Sequence, residues 1–358
     1  MKKALLTALV VFAATVSPAL SAVVGTDALR EWNLIVLGDL TSSSEVEGRT
    51  FVGGNLNGNS SNYQIRTPAA SPTGQPGLTV VGDVNGSHKN LNNGSGAIVG
   101  GNVNSGFNLN GNPQTVKVGG TISNTNVNQN TVVSGLAKSD AYFTSNLTQQ
   151  KELLTSSLTD LSSTLSKLEA TATVTIDQNR ATFVSKPDSA GVAVFNMTAA
   201  DLSKFSEIAL NVNGADTVVI NVSGANIALS QNFLGGTTGL GEHVIWNFYE
   251  AQTFASSTAW GGSVLAPKAA ASTSNYIEGS AVFGSLQQNG EFHLGTYTGK
   301  YYPPTFPPGN PGGDNGGGNT GGGNTGGGTT VPEPETWLML IGALALLWFG
   351  RRRLLRRA

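Results

Sequence analysis

The 358-residue chain has no cysteine, three histidines, three methionines and only 12% charged residues. Without cysteine the fold cannot be stapled by disulfides, and no thiolate is available as nucleophile or metal ligand. Stability must come from packing and hydrogen bonding. His88, His243 and His293 are isolated from one another and from any metal-ligand spacing, and there is no His-Glu-x-x-His, so a zinc centre would need distant ligands. No Gly-x-Ser-x-Gly elbow occurs, and the glycine-rich segments lack the Lys-Ser/Thr of a phosphate loop. A basic excess is missing too: 20 Lys+Arg stand against 22 Asp+Glu, a net charge of −2. Seven of those bases but only two of the acids lie in the two end segments, so the body between carries about −7. Such a balance gives no nucleic-acid footprint.

What is abundant is glycine, at 47 residues, together with Asn, Ser and Thr. The two ends are built differently. Lys2 and Lys3 precede an apolar run at 4–16, and Ala19, Ser21 and Ala22 offer small residues for cleavage. That layout predicts a secretory signal peptide at 1–22, so the mature chain is exported. At the other end, 331–358, Pro332, Glu333 and Pro334 lead into an apolar run at 337–349 that stops at Arg351, Arg352, Arg353, Arg356 and Arg357. Trp337 and Trp348 suit the two bilayer interfaces, and the arginines favour the cytoplasmic side. The run rises about 20 Å, short of a hydrocarbon core of about 30 Å. Leu354, Leu355 and snorkelling arginines extend it.

Pro-Glu-Pro, apolar segment and arginine cluster, in that order at a chain end, resemble the PEP-CTERM sorting signal of Gram-negative bacteria. The resemblance implies recognition by an exosortase at the inner membrane, cleavage near Pro332, Glu333 and Pro334, and transfer to the cell surface or extracellular matrix. A plain single-pass anchor with an incidental Pro-Glu-Pro is the alternative. Residues 303–330 read as a linker, Pro-rich and then Gly-Asn-Thr-rich, with a reach of roughly 30 Å.

Between the ends a short unit recurs: Val52-Gly53-Gly54-Asn55-Leu56, Val81-Gly82-Asp83-Val84, Val99-Gly100-Gly101-Asn102-Val103 and Val118-Gly119-Gly120-Thr121-Ile122, with Leu37-Gly38-Asp39-Leu40 as a weaker first copy. The period is too short for most two-helix repeats and fits one coil of a parallel β-solenoid (β-helix). Alternate aliphatic residues would fill a narrow core while Gly and Asn turn the corners. Asn57-Gly58, Asn85-Gly86 and Asn93-Gly94 are also hairpin signals, so a β-sandwich stays open as the alternative. At 136–170 glycine disappears, and Leu147, Leu154, Leu158, Leu161, Leu165 and Leu168 form a helical stripe. This predicts one long helix lying along its own solenoid, a coiled coil being the other reading. Strand-like runs then resume at 172–176, 192–196, 208–212, 217–222 and 244–249.

The blocks IVLGDL, EVEGRTFVGGNL (45–56), WNFYEA (246–251), GGSVLAPKA (261–269) and IEGSAVFGSL (277–286) resemble the choice-of-anchor A domain. That resemblance implies an adhesive domain of bacterial surface proteins, without catalytic residues, over most of 23–302. A helix beside a solenoid is also similar to bacterial ice-binding domains, which use flat threonine arrays; no regular Thr-x-Thr register is visible here. The fold expected is therefore mainly β, a solenoid with one long α-helix alongside, plus signal peptide, Gly/Pro-rich linker and C-terminal membrane helix.

For chemistry, Asp39 and Asp83 occupy equivalent repeat positions, but this alignment places Gly54, Gly101 and Gly120 in the other copies. The carboxylate ladder then looks broken, and a turn role is expected instead of paired-carboxylate catalysis. Tyr63, Phe107, Trp246, Tyr249, Trp260 and Tyr276 are candidates for stacking on sugars, although Trp246, Phe248 and Tyr249 read equally well as core. No catalytic, cofactor or metal residue is expected. The function expected is that of an exported adhesin-like or structural surface protein, meeting an exosortase during sorting and extracellular polysaccharide or matrix afterwards. The alternatives are a polysaccharide-active or carbohydrate-binding β-helix protein and an ice-binding protein.

Overall fold

The computed structural model describes residues 23–303. The expected signal peptide (1–22), linker, sorting residues and membrane helix lie outside the described residues. Within them no helix is long and apolar enough to cross a membrane.

Every strand pair among the described residues is parallel except one, Thr175–Asp177 with Arg180–Val184. Parallel pairing removes the hairpin alternative, because the Asn-Gly pairs turn corners between walls. At one such corner Gly86 has φ +87°, and a methyl there would overlap the carbonyl of Gly58 one coil away. Only glycine fits both conditions.

The coils stack in a definite register. Val36, Val52, Val80, Val99 and Val118 pair in succession, and all five side chains are buried. Leu40, Leu56, Val84, Val103 and Ile122 form the next inward row. The alignment expected from sequence is therefore corrected in the first and third copies: the core residues are Val36 and Val80, not Leu37 and Val81. Since side chains alternate faces, a slip of one residue turns Leu37 and Val81 outward. They pack there with the cluster around the long helix.

The path of the chain differs from a simple spiral. The helix-side wall has eleven strands in the spatial order Thr131–Val133, Thr115–Val118, Ala97–Val99, Leu78–Val80, Thr50–Val52, Leu34–Val36, Ala281–Gln288, Ser263–Thr273, Val244–Asn247, Thr217–Ser223 and Val192–Thr198. The chain thus starts mid-wall, winds to one end by residue 133, crosses to the opposite end, and winds back. The last coils close on the first at a seam, where Leu34–Val36 pairs with 281–283 and Leu40–Ser42 with 286–288. Both halves contribute to one continuous core.

The crossing is made by the helix. It is not a single element over 136–170: α2 (Leu136–Ser139) ends where Asp140 turns extended, and α3 (Phe143–Leu165) follows. Asp140 Oδ1 accepts the Tyr142 N–H at 3.0 Å across the break. α3 is about 34 Å long, against about 48 Å for eleven strands at the usual spacing. Its buried leucines, Leu147, Leu154, Leu158, Leu161 and Leu165, belong to the expected stripe. Most of them meet Ile35, Phe51, Val194, Val219, Ile245, Leu265 and Val282 on the outer face of the wall. With its apolar face so occupied, the stripe serves this chain's own solenoid.

The third wall runs Phe107–Leu109, Lys89–Leu91, Ser61–Tyr63, Glu45–Val46, Phe292–His293, Ile277–Glu278 and Trp260–Gly261. Trp246, Trp260, Phe248 and Phe254 pack inside as an aromatic cluster, with the Trp246 and Trp260 rings 4.9 Å apart. Beyond Trp260–Gly261 a four-stranded sheet of Asn232–Leu234, Glu207–Asn211, Arg180–Val184 and Thr175–Asp177 completes that side.

Candidate functional site

With one wall under α3, two remain open: the third, and a second built in order from Asn226–Leu229, Thr253–Ser256, residues 270–273 and 285–288, Leu40–Ser42 and Leu56–Asn57. Their outward side chains come from the alternate positions of each strand. On the second wall one row reads Ala228, Ala255, Ser272, Gln287, Thr41 and Asn57 in paired register. It continues as an amide ladder: Asn85 Nδ2 donates to Asn57 Oδ1 at 3.0 Å, and Asn104 Nδ2 to Asn85 Oδ1 at 2.8 Å. The neighbouring row is Asn226, Thr253, Ala270 and Ser285. Small side chains on adjacent coils leave a shallow trough of about 540 Å³ at the seam, lined by Asp39, Thr41, Thr253, Ala255, Ser272 and Gln287 among others. On the third wall Asn108 Nδ2 donates to Asn90 Oδ1 at 2.7 Å and Asn62 Nδ2 to Glu45 Oε1 at 3.0 Å.

The corner between the helix-side and second walls holds the two acids singled out in the sequence. Asp39 Oδ1 accepts the Asn55 N–H at 2.7 Å, Asn55 Oδ1 the Asp83 N–H at 2.9 Å, Asp83 Oδ1 the Asn102 N–H at 2.6 Å, and Asn102 Oδ1 the Thr121 N–H at 2.9 Å. The ladder is unbroken once the register is corrected, since Asp39 and Asp83 stack with Asn55, Asn102 and Thr121. Each side chain satisfies a backbone donor of the next coil, so the row serves the turn. The trough beside it has Asp39 as its one lining carboxylate. Acid/base hydrolysis of a glycoside uses two.

The histidines stay apart. His88 Nε2 is 3.0 Å from the Asn124 carbonyl, His243 Nδ1 is 3.0 Å from the Asp216 carbonyl, and His293 Nε2 is 2.8 Å from Glu291. Among the described residues no three His, Asp or Glu side chains converge as a metal site. The aromatic candidates divide. Tyr63, Phe107, Trp246 and Trp260 are buried in the core and cannot stack on a ligand; Tyr249 and Tyr276 are half-buried. Burial pushes the Tyr63 phenol up to about 12, against the pull of its hydrogen bond with Ser61. Tyr276 stacks on His293 with ring centres 4.3 Å apart. The amide ladders were missed in sequence, although Asn57, Asn85 and Asn104 each follow a buried aliphatic and could have been found from that position.

The model of the ice-binding-like adhesive domain matches residues 25–294, well over half of the chain. The chain belongs to that family. This bears out the adhesive-domain resemblance read from the sequence blocks. The PEP-CTERM protein-sorting motif matches residues 330–353, which contain Pro332, Glu333, Pro334, Arg351, Arg352 and Arg353. No curated protein matches. Among solved structures, an ice binding protein from an Antarctic Flavobacteriaceae bacterium is similar at 14% identity and a TM-score of 0.25, over 75% of this chain and 82% of its own. In this ice-binding-like adhesive domain the walls left free by α3 are polar, in-register and open to solvent.

Proposed function

We propose that the protein is an exported, adhesin-like component of the envelope of a Gram-negative bacterium, sorted by an exosortase and acting by display instead of catalysis. The observation that carries the reading is the pairing, in one chain, of an adhesive domain over 25–294 with a sorting motif over 330–353. In this reading the signal peptide at 1–22 exports the chain, and the segment at 331–358 holds it at the inner membrane until cleavage. The linker then carries the domain clear of the surface. The open walls supply many weak hydrogen bonds at a repeat of about 4.8 Å, and a repetitive ligand such as matrix polysaccharide gains by binding several at once.

Deletion of 331–358 is expected to release the protein into the medium, measured by immunoblot of cell and supernatant fractions. Unchanged retention would contradict the sorting role. The purified chain is expected to bind matrix polysaccharide without shortening it, and cleavage of that polysaccharide would replace this reading with an enzymatic one. An ice-binding activity would appear as thermal hysteresis; the row running from Ala228 to Asn57 through Ser272, Gln287 and Thr41 carries one threonine, so none is expected.

A further inference from the structure

A cavity of about 530 Å³ lies where helix α1 (Thr26–Glu31), the insertion at 68–73 and the segment 294–298 meet. It is separate from the two walls. Its lining is mixed: the charged Asp27, Arg30, Glu31 and Arg49, the apolar Pro68, Ala70, Pro72, Leu294 and Tyr297, and three threonines. Glu31 is 4% exposed, and neither carboxylate oxygen has a hydrogen-bond partner. Arg49 Nε is 3.7 Å from Glu31 Oε1, too far for a hydrogen bond, and its Nη2 is committed to the Ala69 carbonyl at 2.6 Å. The hydroxyl of Thr73, on the same lining, is also buried and unpartnered. Leaving such groups without a hydrogen bond costs about 1–3 kcal/mol each, and at Glu31 the nearby Arg49 charge offsets part of that.

The chemistry of an occupant follows. Glu31 requires donors. A second cation beside Arg49 would meet like charge, and an anion would meet Glu31 and Asp27. The two acids and two bases cancel, so the cavity selects for a neutral ligand rich in hydroxyls. The Pro, Ala and Leu surfaces suit the C–H face of such a ligand, and the volume lies within the usual range for small-molecule sites.

We infer that this cavity binds a neutral saccharide unit, with Glu31 accepting from its hydroxyls and the insertion at 68–73 as the outer lip. The oxygens of Glu31 expose no surface and the Arg49 head stands 3.7 Å away, so a ligand reaches them by displacing that head. The inference stands whether or not the walls are adhesive, because it is read from single-sugar glycosides and from variants of the cavity lining alone.

The test uses the purified full chain and the methyl glycosides of glucose, galactose, mannose and N-acetylglucosamine, with saturation-transfer NMR and calorimetry as readouts. At least one glycoside is expected to bind, and Glu31→Gln and Ala70→Trp are each expected to weaken it about tenfold or more. Ala70 is exposed, so its replacement leaves folding intact and blocks only the mouth; it decides the matter alone if Glu31→Gln fails to fold. Binding of none of the four, binding unchanged in Ala70→Trp or in a folded Glu31→Gln, or a crystal structure with ordered water alone on Glu31 would each overturn the inference.

Discussion

Lys89 has no exposed surface, and its ammonium donates to the carbonyls of Gly58 at 3.0 Å and Asn59 at 2.5 Å without a counter-charge. Burial pushes its pKa down from 10.5 to about 8. Between those values the unfolded chain keeps the proton that the folded chain releases, so stability rises with pH across that window. Denaturant midpoints measured from about pH 7.5 to 10.5 should therefore climb relative to Lys89→Met, which lacks the titrating group; parallel profiles would refute the assignment. Gly101 makes a second case. A methyl there would overlap Asp83 Oδ1, which is bonded to the N–H of Asn102 in the next coil. Gly101→Ala is expected to cost about 1–3 kcal/mol in chemical denaturation, as overpacked sites do.

At the scale of the element, α3 is held by more than its leucine stripe. Asn247, Asn221 and Asn196 stand on three successive strands, and their amides donate in turn to the carbonyls of Ser162 at 2.8 Å, Leu165 at 2.8 Å and Leu168 at 3.2 Å. They also bond one another, Asn247 to Asn221 at 2.9 Å and Asn221 to Asn196 at 3.0 Å. The ladder gives the Ser162 and Leu165 carbonyls a second donor beside the Ser166 and Leu168 N–H groups, each at 3.1 Å, and so ties the end of the helix to the wall. Asn221→Ala removes its side-chain hydrogen bonds to Leu165, Asn196 and Asn247 together, leaving the Leu165 carbonyl with the Leu168 N–H alone. A loss of about 1–3 kcal/mol is expected, with faster amide exchange confined first to the last turns of α3. The stripe was legible in the sequence because its spacing is local. The end of the helix was not, because the side chains that cap it arrive from strands later in the chain. The coil register was misread for a related reason: in Val80-Val81 and Val36-Leu37 either aliphatic fits the inward position, and only the stacking of neighbours selects one.

Over the whole molecule, the seam makes the two halves of the solenoid interdependent. The first coil offers Leu34–Val36 and Leu40–Ser42 to the last coil, so neither half has a finished wall alone. Residues 23–135 expressed by themselves are expected to lack a cooperative unfolding transition, whereas the complete domain shows one; a cooperative fragment would mean that the seam is dispensable. The last described residues are fixed by further long-range contacts. Thr26 Oγ1 donates to the Tyr301 carbonyl at 3.0 Å, Tyr297 and Thr217 hydroxyls lie 2.6 Å apart, and Lys300 N–H donates to Asp216 Oδ2 at 2.6 Å. Residues 297–301 therefore lie against the flank of the domain beside α1.

The sequence by itself determined the PEP-CTERM motif at 330–353, the absence of thiols, the aliphatic-glycine period that builds coils and the leucine face of the helix. All of these are written in neighbouring residues, at spacings set by local backbone geometry. Tertiary structure alone decided the register of each coil, the closure of the last coil on the first, the burial of Trp246 and Trp260, and the burial of Glu31 without a hydrogen bond. Those depend on which distant strands stack, and a difference of one residue in that stacking exchanges the inside of a strand for its outside.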